Sequence, residues 1–233
     1  MRGDRVHNLA IETSGRAGSI ALGRGDEMLA ERELGEHRRH NVALVTGIDA
    51  LCAAHDVEPA DLGELYVSIG PGSFTGLRVA VAAAKMVALA HGARIVAVPT
   101  LEALAQNAPA DVDRVAAGLN LKRDRLWAAV FERRGAELTA TGAAGLYTLS
   151  ELVAQAGPGE EPLALLGEVW PEVGAELASR VRVLPGELAR VRASAVWRAG
   201  RARAGQFVEP TALAPLYARR PEAVEKWERL HES

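Results

Sequence analysis

The sequence has little cysteine, few aromatic residues and almost no net charge. Cys52 is the only cysteine among 233 residues, so an internal disulfide cannot form and a disulfide-stapled scaffold is excluded. The net charge is −3, whereas a simple nucleic-acid-binding protein would carry a large excess of Lys and Arg. Because 48% of the residues are hydrophobic, a chain of this length can bury a sizeable core. The composition therefore predicts one large folded domain or two small ones.

Long hydrophobic runs are also missing. The most apolar stretch, residues 79–90, is interrupted by Lys85 and is shorter than the roughly 20 residues that a bilayer span needs. The first eight residues are charged, and the apolar run after them ends at Ile11, which is unlike a signal peptide. We therefore expect no membrane span and a cytoplasmic protein.

The first hundred residues alternate between short apolar runs and helical patterns. Strand–helix–strand units with short loops form parallel crossovers, and three closely linked strands at the start predict an antiparallel part of the same sheet. The predicted elements are strands 6–11, 19–22 and 28–34, helix 40–55, strand 65–69, helix 75–91, strand 94–98 and helix 101–106, the last capped by Thr100.

This order of elements resembles the ATPase domains of the actin, Hsp70 and sugar-kinase (ASKHA) type. We therefore expect an α/β fold with two lobes, the second one shortened. Residues 108–111 predict a hinge between an N-terminal lobe, 1–108, and a smaller C-terminal α/β lobe, 109–233. The elements predicted in the second lobe are strands 112–119, 126–131, 137–141 and 163–166 and helices 149–156 and 192–205.

Residues 70–78 read GPGSFTGLR and connect a predicted strand to a predicted helix. Their glycines permit a positive φ or a close approach of backbones, and Ser73 or Thr75 can cap the helix. A tight strand-to-helix turn would by itself explain the glycines. However, Phe74 is an aromatic residue in a turn, and the helix dipole disfavours a cation such as Arg78 by about 0.3–1 kcal/mol. We therefore hypothesise that Arg78 has an acidic partner.

The nonapeptide, followed by an Ala-rich helix with Lys85, closely resembles the signature of the TsaB (YeaZ) family. Other segments support the resemblance, which covers most of the chain and is weakest over residues 140–208. Glu12 stands where that family usually has Asp. The supporting segments are 9–14 (LAIETS), 95–104 (IVAVPTLEAL), 119–131 (LNLKRDRLWAAVF), 215–219 (PLYAR) and 221–223 (PEA).

The resemblance implies a non-catalytic subunit of a tRNA-modifying machinery. With TsaD and the ATPase subunit TsaE, this family supports transfer of threonylcarbamoyl to N6 of the adenosine next to the anticodon, in tRNAs that read codons starting with A. The first two helices are expected to bind the matching helices of TsaD. Contact with tRNA is expected through the complex, and the same surface would allow a homodimer in isolation.

Helical spacing supports this expectation, because the first two predicted helices carry apolar residues on both sides. One side of each would be buried in the lobe and the other would be left for a partner. The candidate partner-binding residues are Val42, Val45, Gly70, Pro71, Gly72, Ser73, Phe74, Thr75, Gly76, Arg78, Ala82, Lys85, Met86 and Leu89.

The sequence lacks several residues that a nucleotide site of the kinase type needs. The candidate nucleotide-binding residues Glu12, Thr13 and Ser14 lack the glycine that lets backbone reach a phosphate, and residues 119–121 lack both carboxylate and glycine. His37 and His40 have no evident third ligand, so no metal site is expected. We therefore expect no catalytic residue and no intrinsic cofactor, with ATP or ADP bound only at the level of a complex.

Two alternatives stay open at this point. One is an autonomous ASKHA-type kinase or a glycoprotease-like peptidase. The other is a homodimeric nucleotide sensor.

Overall fold

The computed structural model describes residues 6–36, 40–122, 125–135, 137–159, 161–168, 170 and 173–218. The side chains of residues 36, 40–42 and 120–122 are outside this description. These residues are called the described part of the chain below.

A six-stranded mixed sheet forms the first lobe. Three antiparallel strands come first, and two strands after them run parallel to β1, while a short strand from the end of the chain joins the edge. The spatial order is β12-β5-β4-β1-β2-β3. The strands are β1 (His7–Glu12), β2 (Ala17–Arg24), β3 (Glu27–Glu36), β4 (Leu62–Gly70), β5 (Arg94–Pro99) and β12 (Phe207–Val208).

Helices α1 (His40–Ala53) and α2 (Phe74–His91) cover one face of this sheet. Leu44 of α1 and Ala80 of α2 lie in one buried cluster with side chains of β1, β2 and β4. Gly92 ends α2 in the left-handed conformation with φ 76°, as its position after the apolar run predicts. One face of each helix therefore packs against the first sheet.

The second lobe is built on a sheet in the order β11-β10-β6-β7-β8, with β9 paired to β7. α4 (Leu149–Ala156) covers its outer face, and the capping box between Thr148 and Glu151 starts that helix. The strands are β6 (Arg114–Lys122), β7 (Arg125–Arg134), β8 (Glu137–Ala140), β9 (Gly145–Tyr147), β10 (Leu163–Leu166) and β11 (Val181–Val183).

One buried cluster joins the two lobes. It contains side chains of both sheets together with α3 (Thr100–Ala105) and α5 (Ala193–Ala202). Within it Trp197 of α5 donates to Asn8 of β1, and α5 and β12 return the chain to the first sheet. Elements after residue 109 are thus shared between the two sheets, and a boundary at 108 and 109 stays a prediction.

The predicted strands and helices are all present, with ends that differ by a few residues. Strands β9, β11 and β12 were not predicted, because runs of two or three residues carry no periodicity. The expected cap at Thr100 is wrong: α3 begins at Thr100 itself, after Pro99, and the Thr100 hydroxyl lies 3.0 Å from the Ser68 hydroxyl.

Helix α2 bears on the expectation that no segment crosses a membrane. Over 18 residues it is long and apolar enough, by length and composition alone, to cross a membrane. Its Ala80 and Ala84 are fully buried against the first sheet, and a core helix of a folded domain passes the same test. The absence of a membrane span stays a prediction.

Candidate functional site

The GPGSFTGLR turn is a tight connection between β4 and α2. Gly70 has φ 112° and a cis bond to Pro71, and the Ser73 hydroxyl accepts from the Gly76 amide at 3.2 Å as the N-cap of α2. A Cβ on Gly76 would meet the carbonyl oxygen of Thr13, and one on Gly72 would meet Ser14. The glycines are therefore required by close packing against the turn that follows β1.

Two hydrogen bonds lock these turns together. The Ser73 amide donates to the Ser14 carbonyl at 2.8 Å, and the Thr13 hydroxyl donates to the Gly76 carbonyl at 2.8 Å. Glu12 is fully buried, and its Oε1 accepts from the amide and the hydroxyl of Ser14. The hydroxyls of Thr13 and Ser14 and one carboxylate oxygen of Glu12 are thus engaged within the chain.

Burial also changes the ionisation of Glu12. Desolvation raises the pKa of its carboxyl group, and the hydrogen bonds from Ser14 oppose that rise only in part. Its Oε2 atom is buried without a hydrogen-bond partner. The neutral form of the carboxyl is therefore favoured more than in an exposed glutamate.

A cavity of about 530 Å³ lies beside the two turns. Arg16 and Ser14 line it on the first lobe, and Leu119, Glu168 and Arg190 line it from later segments. Arg190 is paired with Glu33 at 3.0 Å. The cavity therefore has a mixed lining with two cationic side chains.

The outer side of α2 exposes a stripe of residues at helical spacing, called the α2 stripe here. Met86 is 59% exposed and Leu89 is 75% exposed, and Val45 of the neighbouring α1 is 46% exposed. The small Ala82 lies between the two ends of the stripe. The members of the α2 stripe are Thr75, Arg78, Ala82, Met86 and Leu89. α2 thus carries apolar side chains on both sides, and the described residues cover only one of them.

An aromatic pair lies at the N-terminal end of the α2 stripe. The rings of Phe74 and Tyr217 are stacked with centroids 5.0 Å apart, and the Arg78 guanidinium is 5.3 Å from the Phe74 centroid. The Leu216 amide donates to the Ile69 carbonyl at 2.6 Å, which holds the last described segment along the end of β4. Tyr217 was not predicted to lie at this surface. The only signal for it in the sequence was its place in the PLYAR segment, 215–219.

The predicted partner-binding residues are not equivalent in the structure. Gly70, Pro71 and Gly76 are buried in the isolated chain and shape the turn. Lys85 is half-buried, whereas Gly72, Phe74 and Arg78 are exposed. The side chain of Val42 lies outside the described part of the chain. Their role in binding stays a prediction.

The expectation that the chain has no metal site also stays a prediction. Within the described part of the chain, no three His, Cys, Asp or Glu side chains are grouped as metal ligands. His37 and the side chain of His40 lie outside that part.

Comparisons of sequence give the family. Residues 29–171, more than half of the chain, match the family model described as "TsaD: tRNA N6-adenosine threonylcarbamoyltransferase". The chain is 39% identical over 99 residues to the tRNA threonylcarbamoyladenosine biosynthesis protein TsaB of Bacillus subtilis, a match that covers 42% of this chain and 43% of that protein. It is 29% identical over 127 residues to the protein of the same name from Escherichia coli, covering 54% of each. The chain spans about half the length of these curated relatives.

Comparison of structures extends the likeness over both lobes. A Pseudomonas aeruginosa protein with similarity to peptidase YeaZ superposes with a TM-score of 0.78 and 26% identity, over 91% of this chain and 99% of that one. This confirms the predicted two-lobed α/β fold of the ASKHA type. Together with the TsaB matches it confirms the resemblance stated from the sequence.

Proposed function

This chain belongs to the family whose model is described as TsaD, tRNA N6-adenosine threonylcarbamoyltransferase, and within it to the TsaB (YeaZ) proteins. We propose that it is a partner subunit in forming threonylcarbamoyladenosine on tRNA. Two relatives carry the name of that biosynthesis. The subunit binds a TsaD protein and, with TsaE, supports transfer of threonylcarbamoyl to N6 of the adenosine beside the anticodon.

The α2 stripe is the observation that carries this proposal. Exposed apolar patches on folded proteins mark surfaces that bind other proteins. A standard interface buries roughly 1,200–2,000 Å² in total. We infer that the outer sides of α1 and α2 together supply this protein's share of it. Met86 and Leu89 supply the large side chains, and Ala82 lets a partner helix approach closely.

The subunit acts without catalytic residues of its own in this proposal. The carboxylate at the end of β1 and the hydroxyls that follow it are those a kinase of this fold would turn toward a phosphate. Here Glu12 and Ser14 bond to each other, and Thr13 bonds to Gly76. These side chains brace the turn before α2, so they support the docking helix. Contact with tRNA, and with ATP or ADP, belongs to the assembled complex.

Reconstitution tests this function. The chain is mixed with TsaD and TsaE from the same genome, the threonylcarbamoyl adenylate and an unmodified tRNA, and the modified nucleoside is quantified with and without this chain. We expect a complex with TsaD by size-exclusion chromatography and modification that depends on the chain. Modification at the same rate without the chain would refute the proposal.

A homodimeric nucleotide sensor is the second candidate, and the cavity beside Arg16 and Arg190 favours it. Calorimetry of the isolated chain with ATP and with ADP separates the two functions. Micromolar binding that is weakened by Arg16→Ala would support the sensor. The partner-subunit proposal expects no binding by the isolated chain.

A further inference from the structure

Arg78 is a cation that no described acidic side chain pairs with, in a place that disfavours positive charge. It is exposed near the N-terminus of α2, which is the positive end of the helix dipole. Within the described part of the chain, the ion pairs are Arg94–Glu64, Arg190–Glu33, Arg201–Asp26 and Arg203–Glu102, and none includes Arg78. The acidic partner expected from the sequence is therefore not supplied by the described residues.

The Arg78 guanidinium is nevertheless held in position. It lies over the ring of Phe74, and the ring of Tyr217 stacks on Phe74 at an interplanar angle of 29°. Tyr217 is anchored because Leu213 is buried in the core of the first lobe and Leu216 bonds to Ile69. Two segments far apart in the sequence thus orient one cation toward solvent, which lowers the entropic cost of engaging a ligand.

We propose that Arg78, Phe74 and Tyr217 form a receptor for one carboxylate of the docked protein. The receptor lies at one end of the α2 stripe, and Leu89 lies eleven residues further along the helix, or about 16 Å at 1.5 Å per residue. The partner therefore presents an apolar surface to Met86 and Leu89 and an Asp or Glu side chain to Arg78. This inference rests on the proposed function and names the chemistry of its partner.

The charges on the two helices favour an acidic partner over a second copy of this chain. α2 carries Arg78 and Lys85 and has no Asp or Glu, and the only acidic residue of α1 is Asp49. Pairing between the α2 helices of two copies would bring two basic helices together. A TsaD protein with an acidic side chain at the matching position would instead neutralise Arg78.

Binding measurements with charge variants test the receptor. The dissociation constant for TsaD of the same genome is measured for the wild-type chain, Arg78→Gln, Arg78→Glu, Tyr217→Ala and Tyr217→Phe, at low and at high NaCl. Arg182→Glu on β11 is the matched control, because Arg182 is an exposed arginine on the second sheet. Circular dichroism and thermal unfolding verify that each variant is folded.

We expect Arg78→Gln to weaken binding about tenfold and to reduce its salt dependence, and Arg78→Glu to weaken it further. Tyr217→Ala should weaken binding less, Tyr217→Phe keeps the stacked ring and should weaken it least, and Arg182→Glu should match the wild type. An Asp or Glu of TsaD changed to Lys should restore binding to Arg78→Glu.

The outcomes separate this inference from the proposed function. If the wild-type chain does not bind TsaD, the proposed function fails and the receptor fails with it. If the wild type binds and Arg78→Glu binds equally well with the same salt dependence, only the receptor is refuted. If Arg78→Glu abolishes self-association and leaves TsaD binding unchanged, the occupant is a second copy and the inference is wrong.

Discussion

Replacing Met86 and Leu89 by alanine removes the two large apolar side chains that α2 exposes most. Fully burying such a side chain is worth about 1.5–3 kcal/mol. Leu89 is 75% exposed and Met86 is 59% exposed, so covering them would contribute about 1–2 kcal/mol each. The double variant should therefore lose about 2–4 kcal/mol of binding energy, which corresponds to a Kd for TsaD on the order of a hundredfold weaker.

Titration calorimetry with TsaD measures this change, and urea unfolding of the isolated variant measures stability. Both side chains already face water, so the free energy of unfolding should change by less than about 0.5 kcal/mol. Val183→Ala is the matched control, because Val183 is 53% exposed on the second sheet, and it should leave the Kd unchanged. A double variant that binds TsaD within twofold of the wild type would show that TsaD does not cover Met86 and Leu89.

Three further predictions concern residues that stabilise the fold. Gly76→Ala places a Cβ against the Thr13 carbonyl and should cost about 1–3 kcal/mol in urea unfolding, whereas Gly186→Ala has open space and should be neutral; equal stabilities would contradict this packing. The Glu12 pKa is raised above 4.5, so the folded protein loses stability as pH rises through the pKa of the unfolded state toward that of the folded state. The free energy of unfolding of Glu12→Gln should therefore improve relative to that of the wild type from pH 4 to pH 8, and a constant difference between the two would contradict this ionisation. Thr148→Ala removes the α4 cap and should cost about 1 kcal/mol by thermal unfolding, whereas Ser150→Ala on the exposed side should not.

Periodicity in the sequence was sufficient to predict the long elements of both lobes. Leu44, Ile48 and Leu51 repeat at helical spacing, and all three are buried in α1. The exposed side of α2 was also predictable, because Ala82, Met86 and Leu89 lie opposite the buried alanines at that spacing. Element type follows from local patterns wherever a segment contains several turns or alternations.

Contacts between distant segments could not be predicted in the same way. Tyr217 stacks on Phe74 across more than a hundred residues, and no local pattern encodes that pairing. The roles of Thr13 and Gly76 also depend on the meeting of two turns that the fold brings together. Glycine-rich composition indicated a close approach of backbone, but the approaching group was identified only by the structure.

Footprinting of Met86 tests the docking of α2 most directly. Hydroxyl radicals oxidise exposed methionine side chains, and Met28 on β3, which is 40% exposed, serves as the reference within the same molecule. Saturating TsaD should slow the oxidation of Met86 severalfold and leave that of Met28 unchanged. A stable complex in which Met86 is oxidised as fast as in the free chain would show that α2 does not dock on TsaD.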